Sequence, residues 1–469
     1  MAVSTTVADA NNAKKKMKKK SMFKSEYTLF DAVTKGGWTT KLSMVVMGFG
    51  NIAHKRVIKG LIFLLIEAAF IFYMVVIGAG ALAGLPSLGD QAQVEVWNED
   101  AGVYEYQTGD NSLLYLLYGV ATIVFIVIFF CFWAEAVRSA YKAECLSKRG
   151  GHLNTFREDL RSLLNENLWK FLMFFPFAGI LLFTILPLVF MIPMAFTNYS
   201  TIGDHLVLFD WVGMENFKTI LGLGGSLGKE FWSVLGWTLV WAFFATFLNF
   251  FFGMILAIVI QRKDTKLKAF WRTIFVISIA VPQFVSLLLM RTMLNRNGVI
   301  NNLLMDWGWI QQPLPFWEDA TWARVSVIVI NCWIGIPYSM LQVTGILQNI
   351  PGELTEAAKI DGANSVQVFF KITLPYVLFI MGPYIITQFT GNINNFNVIY
   401  LLSGGAPVPV GSTAGKTDLL VTWLYKLTID YQYYNLGAVI GIITFIVLSI
   451  VALITYRNTA AYKDEEGFQ

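Results

Sequence analysis

The chain has 469 residues, 56% of them hydrophobic and 15% aromatic, with only 14% charged. A soluble domain carries about a quarter of its residues as charges, so the composition excludes one. The formal net charge of +4 says little by itself; where the charges fall says more. Several apolar runs are long enough to cross a bilayer, which makes the fold class all-α, a polytopic membrane protein of about eight transmembrane helices.

Residues 1–55 open with lysines between Lys14 and Lys20. They read as a cytosolic basic tail attracted to anionic lipid. No aromatic residue interleaves with them, so a nucleic-acid partner is not expected. No cleavable signal peptide is expected, because a long polar stretch follows the basic residues. Trp38 to Ile52 are weakly amphipathic and fit the inner membrane face. The first span is predicted over Val57 to Leu82 and contains Glu67. An intramembrane carboxylate is a functional candidate by default; packing against a neighbouring helix is the alternative. The loop from Gly84 to Ser112 has six acids and no Lys or Arg.

The second span is predicted over Leu113 to Trp133. A basic segment follows, with Arg138, Lys142, Lys148, Arg149, Arg157 and Arg161. Within it Thr155-x-x-Glu158 fits a capping box for a short helix carrying Phe156, Leu160, Leu163, Leu164 and Leu168. The third span is predicted over Phe171 to Phe196 and the fourth over Phe231 to Ile260. A turn rich in Lys and Arg precedes a fifth span, Phe270 to Met290, with Pro282 inside it. The sixth is predicted over Ala323 to Leu347, the seventh over Tyr376 to Leu402 and the eighth over Leu436 to Tyr456. In the loop before the eighth span, Leu419, Leu420, Trp423, Leu424 and Leu427 fall at helical spacing and predict an amphipathic helix at the outer interface. Lysine and arginine alternate between loops so that both termini are expected in the cytosol. The three cysteines and three histidines form no ligand pattern, and no metal site is expected.

Between the sixth and seventh spans lies EAAKIDGANSVQVFFKITLP, Glu356 to Pro375. Pro351 suits the first turn of a helix, and Leu354, Ala357, Ala358 and Asp361 follow at helical spacing. Gly362 has the backbone freedom that a helix C-terminus uses. Asn364 or Ser365 is placed to cap a second helix, and Pro375 with Leu374 is expected to break regular structure before the next span. A connection that only joined two spans would need fewer residues, so this one is expected to dock on something.

The pattern Glu356-Ala357-Ala358, Asp361-Gly362-Ala363, then Phe369 or Phe370, Ile372, Leu374 and Pro375 resembles the EAA loop of ABC importer permeases. The resemblance implies a type I ABC importer permease fold in which this loop couples to an ATPase subunit. Gly298-Val299-Ile300-Asn301 and Thr417-Asp418-Leu419-Leu420-Val421 resemble segments of the same family, the latter of its maltose-type members. The likeness runs from roughly residue 170 to 456. It suggests three parts: residues 1–55 as tail and interfacial segment, 56–168 as two accessory spans with a linker, and 169–460 as a six-helix core with a coupling loop at 349–375.

Two polar stripes flank that loop. Asn331, Gly335, Tyr338 and Gln342 share one face of the sixth span, and Tyr384, Gln388, Asn392 and Asn395 share one face of the seventh. Such residues are expensive in a membrane. Either they glue helices together or they meet a ligand. Amides and phenols without charge suit a neutral polyhydroxylated ligand. Gly335-x-x-Tyr338 and Asn392-x-Asn394-Asn395-Phe396 resemble the sugar-binding segments of the maltose/maltodextrin permease family, which implies sugar contact at Gly335, Tyr338, Asn392 and Asn395. Gln388 stands where that family has a smaller hydroxyl residue. The loop from Thr197 to Glu230 is short where the enterobacterial members have a large external domain, which points to a bacterium without a periplasm.

No GxxxxGK[ST] occurs, so ATP hydrolysis is expected on a separate subunit. The resemblance implies an ATPase homodimer holding ATP and Mg2+, a second permease and an extracellular sugar-binding protein as partners, in a bacterial cell membrane. The expected cargo is an oligosaccharide, maltodextrin or a galactan fragment; glycerol phosphate would want cationic residues that the stripes lack. A proton- or sodium-coupled transporter needs an embedded acid near the site, and Glu67 lies far from both stripes in sequence. A membrane enzyme would need a nucleophile–base set or paired acids within the spans, and neither is evident.

Overall fold

The computed structural model describes residues 27–98, 102–107, 109–262 and 264–457; the lysines between Lys14 and Lys20 lie outside them. Among the described residues, seven helices are long and apolar enough to cross a membrane, or eight if one bent pair counts as a single span. The chain packs as two compact units. One comprises the described residues up to Pro193 with Val207–Asp210, the other Met194–Leu206 and the described residues from Trp211 onward.

The first unit begins with three short helices, α1 (Leu29–Lys35), α2 (Trp38–Leu42) and α3 (Phe49–Ala53). They pack onto the rest of the unit. Thr40, Ser43 and Asn51 are buried, because polar groups on the following helices collect them. The Glu144 carboxylate accepts from Thr40 Oγ1 at 2.6 Å and from the Gly37 N–H at 3.0 Å. Ser139 Oγ donates to Asn51 Oδ1 at 2.9 Å. The first span, α4 (Val57–Gly84), carries Glu67, whose Oε2 accepts the Met47 N–H at 2.8 Å. Of the two readings of Glu67, the contact is the packing one: it caps a backbone donor of the preceding segment.

The acidic loop holds a hairpin that its charge count did not suggest, β1 (Val94–Asn98) antiparallel to β2 (Val103–Gln107), with Val96 opposite Glu105. The second span, α5 (Ser112–Lys148), runs 37 residues and absorbs the start of the expected basic segment. Its last turns are held by the Glu144 contacts, so helix continues past the apolar stretch. The Thr155–Glu158 capping box forms as expected and starts α6 (Phe156–Leu164). The Thr155 N–H, chiefly, holds the Glu158 carboxyl below the usual range. The third span, α7 (Leu168–Met194), buries none of its most apolar window within the chain, and it groups with this first unit rather than with the helices that follow.

The second unit holds α8 (Glu215–Leu221), α9 (Ser226–Gln261), α10 (Lys268–Ala280), α11 (Gln283–Met293), α12 (Val299–Asp306), α13 (Ala320–Gln348), α14 (Gly352–Ile360), α15 (Ser365–Ile393), α16 (Phe396–Leu402), α17 (Leu420–Tyr425) and α18 (Tyr434–Arg457). The expected continuous fifth span is instead the pair α10 and α11, bent by 85°. Val281 is extended and Pro282 follows it, as the restriction on the residue before proline requires. The expected seventh span is also displaced. It starts inside the loop at Ser365 and stops at Ile393, with α16 separate beyond it. Pro375 does not break it, because the missing N–H falls where a π turn, Phe369–Thr373, already interrupts the ladder.

Helices α9 and α13 pack at close range. A Cβ on Gly253 would lie 2.5 Å from the Ser339 Cβ, so the small residue sets the approach of the two backbones. Two apolar clusters hold the unit. Trp237, Trp241, Leu287, Val327, Ile399 and Leu419 form one; Phe250, Met254, Met340, Val343, Val377 and Met381 form the other. The expected interfacial helix after Thr417 belongs to this packing. Leu419, Leu420, Trp423 and Leu427 are buried in protein rather than turned to lipid. The loop before it is tied by a buried ion pair, Lys426 Nζ to Asp418 Oδ2 at 2.6 Å, with Asp418 also accepting the Gly415 N–H and the Thr422 hydroxyl.

Candidate functional site

The two apolar clusters leave a polar level between them on three helices at once. On α9 the first cluster ends at Ala245 and the second begins at Phe250. Between them stand Thr246 and Asn249. On α13 the gap between Ile330 and Met340 holds Asn331, Gly335, Tyr338 and Ser339. On α15 and α16 the gap between Met381 and Val398 holds Tyr384, Gln388, Asn392 and Asn395. These side chains, with Ser278, Gln283 and Ser286 from the bent pair, line one cavity of about 430 Å3. No charged side chain lines it. Asn331 and Tyr338 each lie about 15 Å from the nearer end of α13, at ~1.5 Å per residue.

The polar groups differ in how far they are satisfied. Asn392 is buried, donates Nδ2 to Thr246 Oγ1 at 3.0 Å and offers its carbonyl to Trp241 Nε1 at 3.1 Å. Asn395 is not on the same helix. It caps α16, accepting the Val398 N–H at 3.3 Å, and its Nδ2 reaches Asn392 Oδ1 at 3.3 Å. Two neighbours are unsatisfied: Asn331 Nδ2 and Asn249 Oδ1 are buried and have no hydrogen-bond partner. An amide left so costs about 1–3 kcal/mol. Tyr338 remains 53% exposed and lines the cavity.

Of the eight stripe residues, seven meet at this cavity. Gln342, one turn further along α13, is exposed and lies outside the lining. Gly335 lines the cavity and also makes room for a neighbour. The space beside it is filled by Asn249, whose Nδ2 would lie 2.0 Å from a Cβ at that position. Asn249, Thr246, Ser278, Gln283, Ser286 and Ser339 join the cavity from outside the two stripes. The first two sit three residues apart on one face of α9, the signal that a pair rather than a stripe provides.

The loop beyond α13 is built as its pattern predicts. Pro351 is the N-cap of α14 rather than within its first turn. Gly362 has φ +82°. Its N–H donates to Lys359 O at 3.1 Å, and the Ala363 N–H donates to Ala358 O at 2.9 Å. Those two bonds form a Schellman motif with Gly362 as the left-handed residue. Asn364 and Gln367 make a reciprocal capping box at 2.8 and 2.9 Å. Glu356, Ala357 and Asp361 are exposed, and so are Ile360 at 86%, Val366 and Phe370. The loop thus has a fixed shape with its apolar side chains uncovered within this chain.

The family model described as "binding-protein-dependent transport system inner membrane component" matches residues 249–461. The galactooligosaccharides transport system permease protein GanP of Bacillus subtilis (strain 168) is 35% identical over 430 residues, 90% of this chain and 98% of that one. This chain belongs to the binding-protein-dependent inner membrane transport components. The maltodextrin transport system permease protein MdxF of the same organism is 36% identical over 437 residues, 91% of this chain and 96% of that one. A crystal structure of a bacterial ABC transporter involved in alginate import shares the fold, with TM-score 0.50 and 20% identity, over 64% of this chain and 97% of that one.

Membership of this family makes the chain a multi-pass transport permease. The matched region begins at Asn249, within the polar level of α9, and includes both stripes and the whole structured loop. It therefore spans both features that the geometry singles out.

Proposed function

We propose that this chain is a membrane-spanning subunit of an ATP-driven importer and that its cavity carries a neutral oligosaccharide. The observation that carries the reading is the cavity's chemistry: amides, hydroxyls and two tyrosines at mid-depth, with no charged lining residue. Amide groups both donate and accept, as sugar hydroxyls do, and the tyrosine rings offer apolar faces to the sugar ring. Asn331 and Asn249 have bonds left to make. Tyr338, Gln388, Asn392, Asn395 and Tyr384 complete the set.

In this reading Glu356, Ala357, Ala358, Asp361, Gly362 and Ala363 dock on one subunit of an ATPase homodimer, which holds ATP and Mg2+. A second permease completes the pathway, and an extracellular binding protein delivers the sugar. Closure of the ATPase dimer moves α14 as a lever, and the helices around the cavity open outward. Both termini lie in the cytosol of a bacterial cell, as the lysine and arginine distribution supports.

Maltodextrin is the proposed cargo. A galactooligosaccharide is the second reading, supported by the GanP likeness of 35% identity against 36% to MdxF. The assembled transporter in proteoliposomes decides between them. ATP-dependent uptake of labelled maltodextrin, not matched by galactooligosaccharide, is expected. Uptake driven by a proton gradient without ATP would overturn the importer reading itself.

A further inference from the structure

A second cavity, of about 340 Å3, lies wholly within the first unit and has the opposite chemistry. Five Lys or Arg side chains line it, Arg56, Lys59, Arg138, Lys142 and Lys170, against two carboxylates, Glu135 and Asp159. Asp159 pairs with Arg56 and approaches Lys59 at 3.9 Å. Glu135 pairs with Arg138 at 3.2 Å. Lys142 and Lys170 have no carboxylate partner among the described residues, and the cavity keeps an excess of positive charge.

The cavity also sits at a defined level. Lys59 is the third residue of α4 and Lys170 the third of α7, while Arg138 and Lys142 lie near the end of α5. Three spans therefore reach one membrane boundary here. Directly beyond the cations the helix surfaces turn apolar and uncovered, with Leu61, Ile62, Phe171 and Leu172 exposed. Trp169, at 62% exposure, stands beneath Lys170, whose Nζ is 5.4 Å from the ring centre; indoles favour the headgroup level. The neighbouring α6 supplies Asp159 and leaves Phe156, Leu160 and Leu164 exposed, as a helix lying in the headgroup layer does.

From this juxtaposition we propose that the cavity holds the phosphate headgroup of an anionic lipid, with its acyl chains along α4 and α7. A basic cavity opening onto lipid-facing apolar surface fits a phosphodiester that carries chains. A soluble anion would use the cations and leave the apolar flank without a role. Lys142 and Lys170 are the residues free to bind it. Arg56 holds α6 through Asp159 and is structural.

Native mass spectrometry of the assembled transporter, titrated with phosphatidylglycerol or with phosphatidylcholine of the same chains, tests this. The wild type is expected to retain one phosphatidylglycerol that phosphatidylcholine does not replace. The Lys142→Gln/Lys170→Gln variant should lose that affinity roughly thirtyfold, about fivefold per lysine, and Lys142→Arg/Lys170→Arg should keep it. If the double variant does not assemble, Lys142→Gln alone should lose about fivefold. Equal retention of the two lipids, or unchanged retention in the Gln variants, would overturn the proposal. So would displacement of the lipid by millimolar inorganic phosphate, which would mark a soluble-anion site.

Discussion

Replacing Asn331 by Leu separates a ligand-binding amide from one that glues helices. Asn331 is 5% exposed, and its Nδ2 has no hydrogen-bond partner. A glue residue would show an interhelical bond, as Asn392 does to Thr246. Leu repeats the branched shape of Asn with methyls in place of the amide, so the change removes an unpaired buried donor without leaving a cavity. The empty protein should then keep its stability or gain up to about 1–3 kcal/mol, the usual cost of such an unpaired group. With sugar bound the same donor finds a partner, and its loss should weaken sugar interaction by a similar amount, on the order of ten- to a hundredfold. The assay is ATP-driven uptake at graded sugar concentrations, with thermal melting on the same preparation. A raised KM with unchanged or higher Tm is expected. Unchanged KM with a lowered Tm would refute the reasoning and make Asn331 part of the scaffold. Asn395 is a poorer probe, because it caps α16 and its loss costs about 1 kcal/mol of helix stability regardless of ligand.

Three further outcomes are expected. Gly362→Val should insert and fold but lose coupling, since φ is +82° with open space around it, a strain of roughly 1–3 kcal/mol for a branched residue; ATPase activity that still responds to the binding protein would contradict it. Glu356→Lys should weaken co-purification with the ATPase subunit and recover in part when a basic residue of that subunit is reversed; normal transport by Glu356→Lys would remove the residue from the docking surface. Lys426→Met leaves the fully buried Asp418 without its cation and should cost about 3–5 kcal/mol, read as a fall in Tm; an unchanged Tm would show that Gly415 and Thr422 suffice to hold the carboxylate.

The legible parts of this fold are those where one stretch of sequence settles its own structure. The loop at Gly362 is the clearest, because turn, caps and helix period all lie within a dozen residues. The spans were legible for the same reason, apolar length being a local property. What escaped depends on partners distant in sequence. Asn249 is one amide in an otherwise apolar helix, and only the glycine at Gly335 on α13 makes room for it. The break at Pro282 was visible as a residue but not as an 85° bend, and that bend brings Ser278, Gln283 and Ser286 to the cavity. The end of α15 at Ile393 separated Asn395 from its stripe, yet α16 returns it to the same cavity by using it as a cap. The α17 stripe was read correctly as one apolar face; that protein rather than lipid covers it was not written in its own residues.

In the proposed importer the uncharged cavity is where the cargo sits. A structure of the assembled transporter, held with a non-hydrolysable ATP analogue and maltodextrin, tests it directly. A sugar unit is expected at the polar level of α9, α13 and α15, hydrogen-bonded by Asn331 Nδ2 and Asn249 Oδ1 and stacked on Tyr338. Sugar bound elsewhere, with only water against those two amides, would contradict it.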